Sequence, residues 1–454
     1  MVSAAEQLAA NINFGAFSKA KELKKRIWFT LAALVIFRLC TYVPLPGTDP
    51  AAVAAFVQQA RTGLVGMFNM FSGGGLERMS IIALGIMPYI SSSIIMQLLT
   101  SMSPTLAQLK KEGDMGRKKI NQYTRYGTVV LTAVQGYALA VALEGMTVAI
   151  TGTGEVRNLV FDPGLFFRST TVITMVGGTM FLMWLGEQVT ARGVGNGISL
   201  IIFAGIVAQL PAALLQTLDL GRTGALQPMV IISLIVLAIG LIYFIVFVER
   251  AQRRLLIQYP RRQQGNKMFQ GDSSHLPMKL NTAGVIPPIF ASSLLLMPMT
   301  IASFSAQSGS SGFLTDIAAL LGQGQPLYIA IYVGLIVFFA FFYTAIVFNP
   351  EETADNLKRF GGFIAGIRPG ERTAEYLDYV LTRLTVVGAI YLSIVCVIPE
   401  LLIARYSVPF YLGGTSLLIV VNVTMDTVTQ IHSHLMAHQY EGLLKKARLR
   451  GRRT

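Results

Sequence analysis

Apolar runs of roughly membrane-crossing length recur along this chain, near residues 26–43, 81–101, 124–144, 169–189, 197–215, 229–248, 282–302, 327–348, 380–399 and 411–431. A crossing helix needs ~20 mostly apolar residues, since each residue advances it by only ~1.5 Å through the hydrocarbon. The pattern predicts ten transmembrane helices in an all-α multi-pass membrane protein. One shorter apolar stretch, Leu64 to Ser72, follows the first run, breaks at Gly73, Gly74 and Gly75, and leads into the charge pair Glu77 and Arg78. It is too short to cross, and irregular backbone at membrane depth is tolerated only where protein or a water-filled cavity surrounds it.

Ten runs divide into five and five. An odd number per half makes the second half enter the membrane from the opposite side, so an inverted, pseudo-symmetric pair is topologically allowed. The expected organisation is an N-terminal segment (1–25), a first half (26–215) containing the short insert at 64–80, an external hinge (216–228), a second half (229–431) and a basic tail (432–454). Two long connections, 249–281 and 349–379, interrupt the second half. Loops of this length exceed ordinary connections and are commonly functional. In the first, LLIQY, a Pro-Arg-Arg-Gln-Gln-Gly turn and KMFQ are expected to pair as a hairpin within residues 254–270.

Composition agrees with the pattern: of 454 residues, 53% are hydrophobic and only 13% charged, where soluble domains approach a quarter charged. Placement of charge adds the orientation. With the N-terminus cytoplasmic, 30 of the 37 Lys and Arg residues fall on the tails and the even-numbered connections. The opposite side holds Arg61, Arg78, Arg157, Arg168, Arg222 and Arg405, and Arg38 alone lies within a span. This asymmetry places both termini in the cytoplasm. No small-residue cleavage pattern follows the first run, so it is expected to be retained as a helix. Cys40 and Cys396 both fall within runs, which favours apolar packing over a disulfide.

Candidate chemistry is sparse. The string GVGNG (193–197) superficially matches a dinucleotide loop but follows a membrane run, not a strand. No P-loop or HExxH string occurs. His432, His434 and His438 near the last run are weighed as a metal cluster against a wetted helix end. Glu187 lies near a span end, and Asp426 is the main candidate for a carboxylate within the bilayer. A solute transporter would need ion-coupling groups there. An intramembrane protease would need an activated nucleophile; Ser199 follows Gly197-Ile198, but no histidine occurs in an early or middle run. No cofactor and no metal are expected, and the chain is expected not to be an enzyme.

Several strings together identify a family: MFNMFSGGGLERMSIIALGIMPYISSSIIMQLL, KKEGDMGRKKINQYTRYG, TMFLMWLGEQVTARGVGNGISLIIFAGIV, FNPEETADNLK, GIRPGERTAEYLDYVLTRLTVVGAIYL and VPFYLGGTSLLIVVNVTMDTVTQI. The chain resembles the SecY family of protein-translocase channel subunits from about residue 16 to the basic tail. The resemblance implies two five-helix halves enclosing an hourglass pore, closed by a plug and opening sideways between helices 2 and 7. By it, Ile86, Ile90, Ile198, Ile202, Ile289 and Ile419 form the pore ring. Phe68, Asn69, Met70 and Phe71, with the hinge glycines 73–75, belong to the plug. Ser91, Gln135 and Asn281 form a polar lateral-gate cluster. Arg261, Arg262, Lys267 and Arg368 dock the ribosome or the motor ATPase SecA. Relatives carry a basic pair where this chain has Asn266-Lys267, and Pro287-Pro288 is a second local variation. The implied location is the bacterial inner membrane. Implied partners are SecE, SecG, SecA, the ribosome, SecDF, a YidC-type insertase, membrane lipids, and secretory and membrane-protein clients bearing signal sequences.

Overall fold

A computed structural model describes residues 21–49, 52–53, 72–145, 147–149, 156–223, 227–259, 262–264, 267–269, 273–295, 325–406 and 413–450. Within them the chain is mostly helical: α1 (Lys21–Cys40), α2 (Met87–Met102), α3 (Pro104–Lys111), α4 (Asp114–Gly145), α5 (Leu165–Arg192), α6 (Gly197–Arg222), α7 (Pro228–Arg250), α8 (Ile286–Leu295), α9 (Pro326–Val347), α10 (Pro350–Arg359), α11 (Glu371–Tyr406) and α12 (Gly414–Arg450). Seven short strands lie in the connections: β1 (Thr147–Ala149), β2 (Val156–Asn158), β3 (Gln252–Gln258), β4 (Arg262–Gln264), β5 (Lys267–Phe269), β6 (Ser273–Lys279) and β7 (Phe363–Ile364). The all-α expectation is corrected to that extent. Pairing outside the membrane satisfies connection backbone that no helix uses.

Six helical stretches among the described residues are long and apolar enough to cross a membrane: α4, α5, Gly197–Asp219, α7, Pro326–Arg359 and Glu371–Leu402. The expected run 81–101 becomes helical only at Met87. Gly85 at φ 58° breaks the preceding backbone, and Pro88 then sits in the first turn, where its missing N–H costs nothing. The run 282–302 yields the ten-residue α8 after a turn at 282–285, and residues 296–302 lie outside the described residues.

The chain forms two compact units, Met1–Met96 with Leu109–Ala212 and Ile419–Thr454, and Gln97–Gln108 with Ala213–Leu418. In the first, α4 and α5 pack along small faces. Thr124, Thr128, Thr132, Gly136 and Ala140 recur every fourth residue on α4 and are buried. Each threonine hydroxyl donates to the carbonyl one turn back, at 2.7–3.0 Å. Such a stripe lets helices approach closely with no unpaired hydroxyl. Two ion pairs brace the same helices: Arg168 to Glu144 at 2.7 Å, and Arg125 to Glu187 at 2.6 Å. Glu144 also accepts the Gly164 N–H at 2.9 Å. A core of Leu45, Leu143, Leu159, Phe167 and Met175 takes in Met79 and Ala83 from the segment ahead of α2.

In the second unit the clearest contrast is between α11, 56% buried over its most apolar window, and α7, 11% buried. Apolar faces of α7 therefore suit lipid. Outside the spans, β3 and β6 join over seven residues, from Gln252 opposite Lys279 to Gln258 opposite Ser273. Leu255, Met278, Ile364, Leu377, Val380 and Leu381 form a core under this sheet.

Close packing in the first unit gives a direct test. Gly197 opens α6 against α5, and a Cβ there would overlap the Gly186 carbonyl oxygen. Gly197→Ala is expected to cost ~1–3 kcal/mol through overpacking, seen as a lower thermal midpoint of the detergent-purified protein. An unchanged midpoint would contradict this packing.

Candidate functional site

The segment between α1 and α2 is held by its own backbone and by two arginines. Leu45 N–H donates to Met79 O at 2.7 Å and Ile81 N–H to Val43 O at 3.0 Å, so the chain leaving residues 72–80 runs beside the chain leaving α1. Arg38 reaches back from α1, and its Nη1 donates to the Gly73 carbonyl. Its guanidinium lies 5.6 Å from the Tyr42 ring centre, and that of Arg78 lies 4.1 Å from the same ring. Arg78 is half-buried, and its Nη1 meets no acceptor among the described residues. Stacking on an aromatic face thus accommodates one member of the charge pair that follows the glycines.

Gly73 and Gly74 have φ of 68° and 86°, a region costly for residues with a Cβ. At Gly73 a Cβ would also come within 3.0 Å of the Gly205 Cα on α6 and 3.3 Å of the Phe37 ring. This glycine therefore both turns the chain and lets it lie against a neighbouring backbone. Gly75 is buried nearby. Phe68, Asn69, Met70 and Phe71 lie outside the described residues.

Five of the six singled-out isoleucines belong to the first unit. Ile86 and Ile90 stand one turn apart at the start of α2, joined by the Ile90 N–H to Ile86 O bond of 3.1 Å. Ile198 and Ile202 stand one turn apart at the start of α6, with Ile198 packed against Gly186. Ile419 lies on α12. Ile86, Ile202 and Ile419 are buried, and Ile90 and Ile198 are half-buried. Ile289 is half-buried on α8 in the second unit.

What sets the start of α6 is the GVGNG loop. Val194 N–H donates to Thr30 Oγ1 of α1 at 3.0 Å, Gly195 N–H to Gln430 Oε1 of α12 at 2.8 Å, and Gly197 N–H to Thr190 Oγ1 of α5 at 2.8 Å. Asn196 Oδ1 accepts from Ile198 N–H at 3.1 Å and Ser199 N–H at 3.4 Å, capping the helix. With these donors engaged, the loop has no cradle for phosphate. Thr30 and Gln430 were not legible as partners of this loop, because they lie 164 and 235 residues away.

Of the three polar gate candidates, Ser91 and Gln135 are half-buried on α2 and α4. The serine that binds across to α4 is the neighbouring Ser92, whose hydroxyl donates to Thr124 O at 2.7 Å. Asn281, 3% exposed, is bound within the second unit: its Nδ2 donates to Glu249 Oε1 at 2.7 Å. Glu249 escaped the sequence reading because it stands at the boundary between an apolar run and a loop. Asp426 is exposed on α12. Among the described residues no group of His, Cys, Asp and Glu is arranged to hold a metal ion.

The hairpin expected in the first long connection is corrected. LLIQ pairs not with KMFQ but with residues of β6, Leu255 opposite Leu276 and Leu256 opposite His275. KMF pairs with RQQ in an inner two-stranded ladder, Arg262 opposite Phe269 and Gln264 opposite Lys267. The outer register buries Leu255 and Ile257 on the core side, a reward the shorter pairing lacks. Arg262 and Lys267 thus lie on the inner ladder, whereas Arg261 and Asn266 lie outside the described residues. The second long connection joins the same sheet: Ile364 of β7 stands opposite Ile257. Arg368 follows it on an exposed turn, its carbonyl accepting the Thr373 hydroxyl at 2.8 Å. Nearby, a hollow of about 810 Å³ is lined by Glu351, Asp355, Glu371, Glu375 and Asp378.

The SecY family profile matches residues 80–428. The chain is 54% identical over 437 residues to the protein translocase subunit SecY of Vibrio cholerae, covering 96% of each chain. Its fold is similar to that of a SecY protein whose plug domain stabilizes the closed state of the translocation channel and maintains a membrane seal, at TM-score 0.63 and 18% identity over 92% of this chain and 93% of that one. It is similar also to Sec61 in the canine ribosome-channel complex from the endoplasmic reticulum, at TM-score 0.55 and 18% identity with the same coverage.

Because one strand from each long connection meets in one sheet, Ile364→Asp should release both. An unpaired carboxylate among Leu255, Met278 and Leu381 is strongly unfavourable. Limited trypsinolysis is expected to cut faster after Lys358 and Arg359 than in the unsubstituted protein, and equal rates would refute the shared core.

Proposed function

This chain belongs to the SecY family, and on that premise we propose how it works as the protein-conducting channel subunit of a translocase. It passes unfolded polypeptides outward across the bacterial inner membrane and releases apolar segments sideways into lipid. Ten helices in two pseudo-symmetric halves, 26–215 and 229–431 about a hinge at 216–228, enclose an hourglass pore, with both termini cytoplasmic. The observation that carries this reading is the segment at 72–80: a non-crossing, glycine-hinged stretch held by Arg38 and laid against Gly205 of α6. That is what a plug hinge requires, being fixed at one end and short enough to move.

Ile86, Ile90, Ile198, Ile202, Ile289 and Ile419 serve as the pore ring. An apolar constriction blocks ions by dewetting and offers a passing chain no hydrogen bonds to hold it. Phe68 to Phe71, on the hinge of Gly73 to Gly75, serve as the plug beneath it. Ser91, Gln135 and Asn281 serve as the gate cluster, whose contacts at ~0.6–2 kcal/mol each hold a seam closed yet let it part for an apolar signal segment.

Arg261, Arg262, Lys267 and Arg368 serve as docking residues on the joined connections. Phosphate attraction at such a basic surface needs no base readout and weakens with salt. The ribosome is supported as a partner by the canine complex; SecA is the alternative motor, SecE and SecG are companion subunits, and SecDF and a YidC-type insertase assist. The chain acts as a conduit whose energy comes from the driver.

The reading is tested by reconstitution with SecE and SecA, where ATP-dependent uptake of a secretory precursor into vesicles is expected. Solute flux without uptake would overturn it. Ile198→Asn and Ile419→Asn should wet the ring and raise resting ion conductance; a background value would remove these residues from the constriction. Gly73→Ala, strained by ~1–2 kcal/mol at its positive φ, and Arg38→Ala should each loosen the plug. Planar-bilayer recordings are expected to show more frequent spontaneous openings, and unchanged gating would show that the clamp is not part of the seal.

A further inference from the structure

Glu249 occupies the end of α7, a helix whose other side chains are almost all apolar. It is 8% exposed. A carboxylate so buried is unfavourable unless it is hydrogen-bonded, and its Oε1 accepts the Asn281 amide at 2.7 Å. Asn281 turns the rest of its amide onto the turn that leads into α8: Nδ2 also donates to Gly284 O at 3.0 Å, and Oδ1 accepts from Gly284 N–H at 3.1 Å. Gly284 has φ of 65°, so the turn has a defined, glycine-dependent shape. On the other side stands α11, where a Cβ on Gly388 would lie 3.6 Å from the Asn281 Cα. Tyr391, one turn further along, lies beside the Glu249 carboxylate. Three helical elements therefore meet at one amide, and the carboxylate is the group that fixes it.

We propose that Glu249 is a positioning residue of the lateral gate: through Asn281 it holds the turn 281–284, and so the start of α8, against α7 and α11, setting how readily the gate parts for a signal segment. The inference rests on the reading of α8 as a gate helix. Glu249 would touch no client. Its effect is to make movement of α8 break a hydrogen bond to a buried charge, stronger than the neutral polar contacts of an ordinary helix seam.

The test uses the complex reconstituted in vesicles, with two precursors that differ only in the signal segment, one normal and one shortened in its apolar core. The measured quantity is the ratio of defective to normal uptake. Glu249→Ala removes the acceptor and is expected to raise this ratio about tenfold, the scale of one lost hydrogen bond to a charged group. Glu249→Gln keeps a neutral acceptor in place and should raise the ratio less than the alanine variant does. Glu249→Asp, shorter by one methylene, should behave as the alanine variant does, and it supplies the reading if the alanine variant fails to accumulate. In an Asn281→Ala background, Glu249→Ala should add nothing, since the shared bond is already gone. An unchanged ratio in both the alanine and aspartate variants, a glutamine variant as permissive as alanine, or fully additive effects would each overturn the assignment. No uptake of the normal precursor by the unsubstituted complex would instead overturn the channel reading.

Discussion

A backbone N–H or C=O left without a partner in hydrocarbon costs several kcal/mol, and no water is present there to supply one. Helices meet that demand from within a single segment. Where this chain departs from helix beside its apolar segments, side chains meet the same demand. At GVGNG it is met by Thr30, Thr190, Asn196 and Gln430, from three helices and the loop itself. At 72–80 it is met by paired backbone and by Arg38. Before α8 it is met by Asn281, which Glu249 holds.

Each of these breaks lies next to residues with a functional reading. GVGNG fixes the first turn of α6, which carries Ile198 and Ile202. Its bond to Gln430 reaches α12, the helix that carries Ile419 three turns away. The 72–80 segment leads directly into α2 and its isoleucine pair. A channel must combine a seal with parts that move, and irregular backbone held by a few side-chain bonds does both. It is ordered when the bonds are made, and it costs only those bonds to release.

Parts of this were legible in advance. Arg38 stands out as the one Lys or Arg deep inside an apolar run, away from its ends, and an intramembrane cation is functional by default. Its target, Gly73, was itself conspicuous among three consecutive glycines, but nothing in either residue's neighbourhood linked the two. The contact of Ser92 with α4 was not legible, because adjacent serines on a helix point in different directions and the sequence does not say which of them faces a neighbour. The long connections were recognised by length and charge, while their pairing was not, because LLIQY has two apolar partners within reach and the better one completes a core with Ile364 and Leu377 from a distant loop.

By itself the sequence determined the apolar segments, the charge asymmetry and the places where glycine interrupts them, since these follow from transfer of local side chains and backbone into hydrocarbon. Only the tertiary structure decided which faces are buried and which polar groups meet. Lipid is as apolar as a protein core, so hydrophobicity cannot distinguish the packed side of a span from its lipid side. The discriminating contacts, Arg38 to Gly73, Gly195 to Gln430 and Glu249 to Asn281, join residues 35, 235 and 32 positions apart, and proximity of that kind is a property of the folded chain.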